Sequence, residues 1–138
     1  MQYSITLFYA GLAGLLLLAL SFQVVALRRR HRVGLGSGDE PALERAIRVH
    51  ANFCEYTPLA LLLLLGLELA AWLPALVLHG LGLMLIAGRV LHAVGLARTA
   101  GTSAGRFVGT LLTWAMILIA ALLAVVIAVG LMITGPGA

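Results

Sequence analysis

Lysine is missing from this chain: all nine basic residues are arginine. Charge of either sign is scarce, at 10% of 138 residues. The one cysteine, Cys54, excludes a disulfide within the chain and any zinc-type site built on several cysteines. No dinucleotide fingerprint, phosphate-loop spacing, metal motif or haem motif occurs, which argues against a nucleotide-, metal- or haem-dependent enzyme. There is no internal repeat, no long linker and no sign of a second domain, so residues 1–138 read as one unit. The net charge of +4 is small, and its arginines cluster beside apolar runs. That placement speaks for orientation in a membrane and against nucleic-acid binding.

What is abundant is apolar surface. The chain is 62% hydrophobic with a mean hydropathy of +1.10, far outside the range of a soluble domain. Its length accommodates four spans of about 20–25 residues each. The expected fold is all-α, an integral membrane four-helix bundle running up-down-up-down, with helices at about 4–27, 42–72, 74–97 and 104–133.

The first apolar run, Ile5 to Leu27, lacks the basic start and small-residue cleavage site of a signal peptide. It ends in Arg28-Arg29-Arg30-His31-Arg32, a cytoplasmic stop by the positive-inside rule, which puts the N-terminus on the periplasmic side. The arginines also suit an anionic ligand or lipid headgroups. A turn-rich loop follows, with Asp39 as an expected helix cap and Pro41 in the first turn. The second helix, Ala42 to Leu73, would be about 48 Å long against a hydrocarbon core of about 30 Å, so its first turns project into the headgroup zone. Pro58 should kink it or free the carbonyl near Cys54. Glu68 carries no assigned role. Trp72-Leu73-Pro74 reads as an outer turn. Arg89 and His92 lie in the cytoplasmic half of the third helix, at the depth of the polar part of the second. Thr102 or Ser103 should cap the fourth helix, whose Phe107 to Ile133 stretch is uncharged and suits lipid contact. Gly135-Pro136-Gly137 should end the chain on the outer side.

The chemistry concentrates in Glu44 to Pro58. On a helix, Arg45, Arg48, Asn52, Glu55 and Tyr56 fall within an arc of roughly 100°. Charged groups at membrane depth cost about 2.5–3.5 kcal/mol each on insertion scales and call for a reason. Cations at one end of the stripe and a carboxylate at the other suit a zwitterionic ligand, with arginine forks on carboxylates and Glu55 on an ammonium. The same stripe also suits a structural role, with Arg48 and Glu55 pairing to neighbouring helices. Cys54 points away from the stripe and reads as a packing residue.

The motif Glu44-Arg45-x-x-Arg48-x-x-x-Asn52-x-x-Glu55-Tyr56-x-Pro58, followed by an apolar run, resembles that of the MAPEG family, the membrane-associated proteins in eicosanoid and glutathione metabolism. The arginines ending the first helix and Ala87-Gly88-Arg89 in the third extend the likeness, which is closest to small bacterial inner-membrane members. The resemblance implies a homotrimer of four-helix protomers with glutathione bound at each subunit boundary from the cytosolic side. It implies that Arg48, Asn52 and Glu55 contact glutathione, with Tyr56 near, and that Arg28 and Arg29 help to hold its carboxylates. The stripe neighbour Arg45, the polar His50 and the third-helix Arg89 complete the expected binding set. Two departures stand out. Where family enzymes carry tyrosines a helical turn apart in the third helix, this chain has His92 and Leu96. Where they carry an arginine near the start of the fourth, it has Ser103, with Arg106 three residues on.

The reading that follows is a glutathione-dependent transferase or peroxidase acting on an apolar electrophile or hydroperoxide that enters from the bilayer. Glutathione is its co-substrate, with no metal or nucleotide. Arg106, or in second place Arg89, would stabilise the thiolate, with His92 or Ser103 donating a hydrogen bond. A non-catalytic membrane protein that binds glutathione or another small anion is the first alternative. A structural or lipid-binding bundle is the second.

Overall fold

The computed structural model describes residues 4–99 and 101–134. They form helices α1 (Ser4–His31), α2 (Pro41–Ala70), α3 (Ala75–Arg98) and α4 (Ala104–Thr134). All four are long and apolar enough to cross a membrane. The Gly135-Pro136-Gly137 end lies outside the described residues.

The helix limits differ from expectation in ways that have physical causes. Helix α1 does not stop at Leu27 but continues through Arg28, Arg29 and Arg30 to His31. Arginine is a good helix former, and cations in the last turn oppose the negative end of the helix dipole. Helix α2 ends at Ala70, short of Leu73, because Ala71 takes a left-handed conformation and its N–H returns to the Glu68 carbonyl. Asp39 does not cap α2. Glu40 is the N-cap, without a side-chain bond to the helix, Pro41 opens the first turn, and Asp39 itself has φ of 60°. The Glu40 carboxylate instead lies 3.2 Å from His31 Nδ1, tying the end of α1 to the start of α2. Helix α2 stays continuous through Pro58. Ser103 does cap α4: its Oγ accepts from the Arg106 N–H at 3.3 Å.

Two apolar clusters hold the bundle. One joins Leu64 and Leu67 of α2, Leu81 and Leu85 of α3, and Met116 and Ala120 of α4. The other joins Ala13 and Leu20 of α1, Val49 and Phe53 of α2, and Ala93 and Leu96 of α3. The closest approach is between α3 and α4. A Cβ on Gly95 would meet the Arg106 backbone nitrogen, and one on Gly109 would meet the His92 nitrogen. Small residues at these crossings let the two backbones touch. The outer faces of α1 and α4 stay apolar and exposed, as at Leu15, Phe22, Trp114 and Leu118.

A carboxylate secures the far end. Glu68 accepts from the Ile5 N–H at 3.0 Å and the Thr6 N–H at 2.7 Å, two first-turn amides of α1 that have no partner within their own helix. Nearby, Tyr9 Oη donates to the His79 carbonyl at 3.0 Å and lies 3.3 Å from His79 Nδ1.

Candidate functional site

At the end of the bundle that carries the arginines, three helices enclose a cavity of about 310 Å³. Helix α2 supplies Glu44, Arg45, Arg48 and Asn52, α3 supplies His92 and Leu96, and α4 supplies Arg106. The periodicity of α2 explains its share. Val49 and Phe53 turn into the core, which leaves the arc from Arg45 to Asn52 facing the gap between α3 and α4.

Three arginines therefore surround one cavity, with Glu44 the carboxylate among its walls. Arg45 is partly buried, and its Nε is a buried donor without a partner. Such a donor costs free energy until something accepts from it. The arrangement suits an anionic ligand with more than one acceptor group.

Beneath this cavity sits Arg89, which is 3% exposed. Its Nε donates to Thr113 Oγ1 at 3.0 Å and its Nη1 to Asn52 Oδ1 at 2.7 Å. Its guanidinium lies 5.5 Å from the Tyr56 ring centroid, a cation–π distance. Arg89 and Tyr56 are thus joined to the site through Asn52 and do not line the cavity.

The stripe of α2 is split by the fold. Arg45 and Asn52 turn inward, while Arg48 and Glu55, at the edge of the same arc, are exposed. Arg48 still reaches the cavity rim, but Glu55 does not. His50 is on the other side of α2, where its Nε2 lies 3.0 Å from Ser21 Oγ of α1. Within this protomer the fold does not bring His50 to the cavity, because it is five residues along from Arg45 and so faces nearly opposite. Arg28 is committed to the loop after α1, donating to the Val33 and Gly36 carbonyls at 3.4 and 3.0 Å. Arg29 is exposed and outside the cavity.

Cys54 is exposed and does not pack within this chain. Its Sγ lies 3.9 Å from His50 Nδ1, one turn away on the same helix. Ser21 Oγ donates to the Leu17 carbonyl at 2.8 Å, so it meets His50 Nε2 as an acceptor, which leaves Nδ1 as the lone-pair nitrogen facing the thiol.

Ser103 lines a second, wider groove of about 660 Å³ with Phe107, Leu111 and Trp114 on the outer face of α4. Arg106 lines both this apolar groove and the cationic cavity. Sequence reasoning put Arg106 a turn away from its useful place, yet the fold carries it to the cavity. The tight Gly95–Arg106 contact is what brings the start of α4 against α3.

Comparison with known proteins agrees with this architecture. The family model for the MAPEG family matches residues 6–126. Two curated relatives, each the inner membrane protein YecN, come from Escherichia coli K12 and from Escherichia coli O6:H1 strain CFT073. Each is 42% identical over 90 residues, a stretch that covers 63% of this chain and 66% of the relative. With most of its helical region matched, from α1 well into α4, the chain belongs to the MAPEG family.

Proposed function

We propose that this protein is an inner-membrane, glutathione-dependent transferase or peroxidase. The supporting observation is that Arg45, Arg48, Asn52, His92 and Arg106 share one cavity. Glutathione carries two carboxylates and an ammonium, and three arginines with one glutamate complement it. The family's link to glutathione metabolism and the inner-membrane relatives support the same reading.

The chemistry follows from charge. The glutathione thiol gives up its proton to become a thiolate, and a neighbouring cation favours that form. Arg106 supplies the cation, and its position on both the polar cavity and the apolar groove lets it serve a thiolate and a membrane-borne acceptor together. In a transfer, the thiolate sulfur bonds to the electrophilic carbon, whose leaving group or π-electron pair accepts the displaced charge. In a reduction, the thiolate attacks the terminal hydroperoxide oxygen to give a sulfenic acid, the O–O bond breaks, and the departing alkoxide takes up the proton equivalent that the thiol gave up and leaves as an alcohol. A second glutathione then converts the oxidised sulfur to the disulfide with release of water. His92, on the same cavity, is a hydrogen-bond donor for either step. Ser103 caps α4 through its Oγ as an acceptor, which leaves its hydroxyl hydrogen to donate, and it lines the groove that Arg106 shares.

The assembly is a homotrimer of protomers running up-down-up-down, with the arginine-rich ends cytoplasmic and glutathione at the subunit boundary. The exposed Arg48 and Glu55 support this, since bare charges facing lipid are costly and a neighbouring subunit would cover them. The same boundary is where Arg28, Arg29 and His50 of one protomer would meet the ligand of another.

Calorimetry of the detergent-solubilised protein with glutathione tests the reading, alongside Arg48→Ala and Glu55→Ala. Binding by the wild type and loss in both variants is the expected result. No binding at millimolar glutathione would remove it. Binding without turnover of any electrophile or hydroperoxide would instead identify a non-catalytic glutathione-binding protein.

A further inference from the structure

Arg89 is a buried cation without a buried anion. No carboxylate among the described residues lies within salt-bridge distance of it; the one carboxylate–base contact joins His31 and Glu40. Arg89 spends its donors on neutral oxygens instead: Thr113 Oγ1, Asn52 Oδ1 and the Asn52 carbonyl, the last at 3.4 Å. Thr113 is fixed in turn, because its hydroxyl donates to the Gly109 carbonyl at 2.9 Å. Its oxygen is therefore free only to accept, and the guanidinium fills that place.

This chain of bonds decides the orientation of Asn52. A guanidinium has N–H donors and no acceptor. The Asn52 atom turned to it is accordingly the amide oxygen, on chemical grounds alone. The amide nitrogen lies on the other branch of the same planar group. Asn52 lines the cavity, and its oxygen is the atom that Arg89 holds.

We propose that Arg89 is a positioning residue: it turns the Asn52 NH2 group into the cavity as a donor and sets an uncancelled positive charge below it. The ligand group received there is an acceptor carrying negative charge, a carboxylate or a thiolate. Naming the ligand as glutathione rests on the function proposed above; the orientation of Asn52 does not. Arg89 acts through Asn52 and does not touch the ligand, which differs from the direct binding role expected of it from the sequence.

Asn52→Asp separates this role from a structural one. The carboxylate keeps the shape and offers Arg89 an anion, while it removes the NH2 donor and cancels the charge. The expected result is a Tm no lower than that of the wild type, with glutathione affinity reduced at least tenfold by calorimetry. Arg89→Lys keeps a donor-only cation beside Asn52 and should bind within a few-fold of the wild type. Arg89→Met should lose at least tenfold. Inorganic sulfate, read as a rise in Tm, is a second probe of the same cavity. Sulfate stabilisation in the wild type and its loss in Asn52→Asp would support the role of Arg89 even if glutathione did not bind, and that combination would overturn only the glutathione reading. Wild-type affinity for glutathione or sulfate in Asn52→Asp would overturn the proposal, as would wild-type affinity in a folded Arg89→Met. A wild type that binds neither probe would overturn both.

Discussion

Asn52 and Glu55 are less than one helical turn apart on α2, yet the first is held inside by Arg89 and the second is exposed. The arc that unites them in sequence is real, but a bundle covers only part of an arc. The wheel put Arg45, Asn52 and Tyr56 in one arc with Arg48 and Glu55, without separating the inner three from the exposed two. It had no means of finding the partner of Arg89, because that bond links residues 37 positions apart and depends on the register of α3 against α2. The same limit hid Glu68 and the Tyr9–His79 contact, which lie 62 to 70 residues from their partners. At this scale Arg106→Ala tests the proposed activation step. It should keep glutathione binding within a few-fold and lower turnover by roughly a hundredfold or more, the range seen when one charge-stabilising group is removed. Normal turnover in that variant would move the thiolate partner elsewhere. Ser21→Ala concerns another triad of atoms. Without the oxygen that accepts from Nε2, His50 can change tautomer, and the Cys54 thiol loses its fixed acceptor. Slower maleimide labelling of Cys54 in Ser21→Ala at neutral pH is the expected outcome, and an unchanged rate would mean that the imidazole does not assist the thiol.

The elements were the most legible part of the chain. Long apolar runs broken by arginine, glycine and proline announce membrane helices, and the four that form begin and end within a few residues of expectation. The misses were local. Arginines that serve as a topological stop also belong to the last turn of α1, since a charge can end a span without ending a helix. The contact between α3 and α4 rests on a set of glycines. The structure makes it specific, and the substitution series follows from that. Gly95→Ala and Gly109→Ala place a methyl group against opposing backbone, which cannot retreat as a flexible side chain can. Overpacking of this kind costs about 1–3 kcal/mol. Both variants should melt several degrees lower in detergent and lose the geometry of Arg106. Gly80→Ala, with nothing within 4 Å of the added carbon, should melt at or above the wild-type temperature. If all three behaved alike, the close approach of α3 and α4 would not be a source of stability.

For the whole molecule, α2 leaves Glu44, Arg48, Cys54 and Glu55 exposed beside the apolar Leu59 and Leu62. A charged and apolar face of one helix fits neither lipid nor water along its whole length. Composition alone gave no assembly state, because periodicity within one chain is the same whether the outer face meets lipid or another subunit. The trimer proposal is checked by mass measurement of the detergent-solubilised protein. Three protomers are expected, with Cys54 labelling more slowly in the assembly than in a dissociated sample. A monodisperse monomer with full labelling would leave the α2 face facing lipid.

The carboxylate of Glu68 bears on the order in which the molecule is built. The amides of Ile5 and Thr6 are made before Glu68 and can be held by it only after some sixty more residues have followed them. Until then those amides must find water or headgroups, so the first span has no fixed end of its own making. Helices α1 and α2 are therefore coupled during biogenesis: a ribosome stalled before position 68 holds an α1 whose start is unlatched, and one stalled well beyond it holds a closed hairpin.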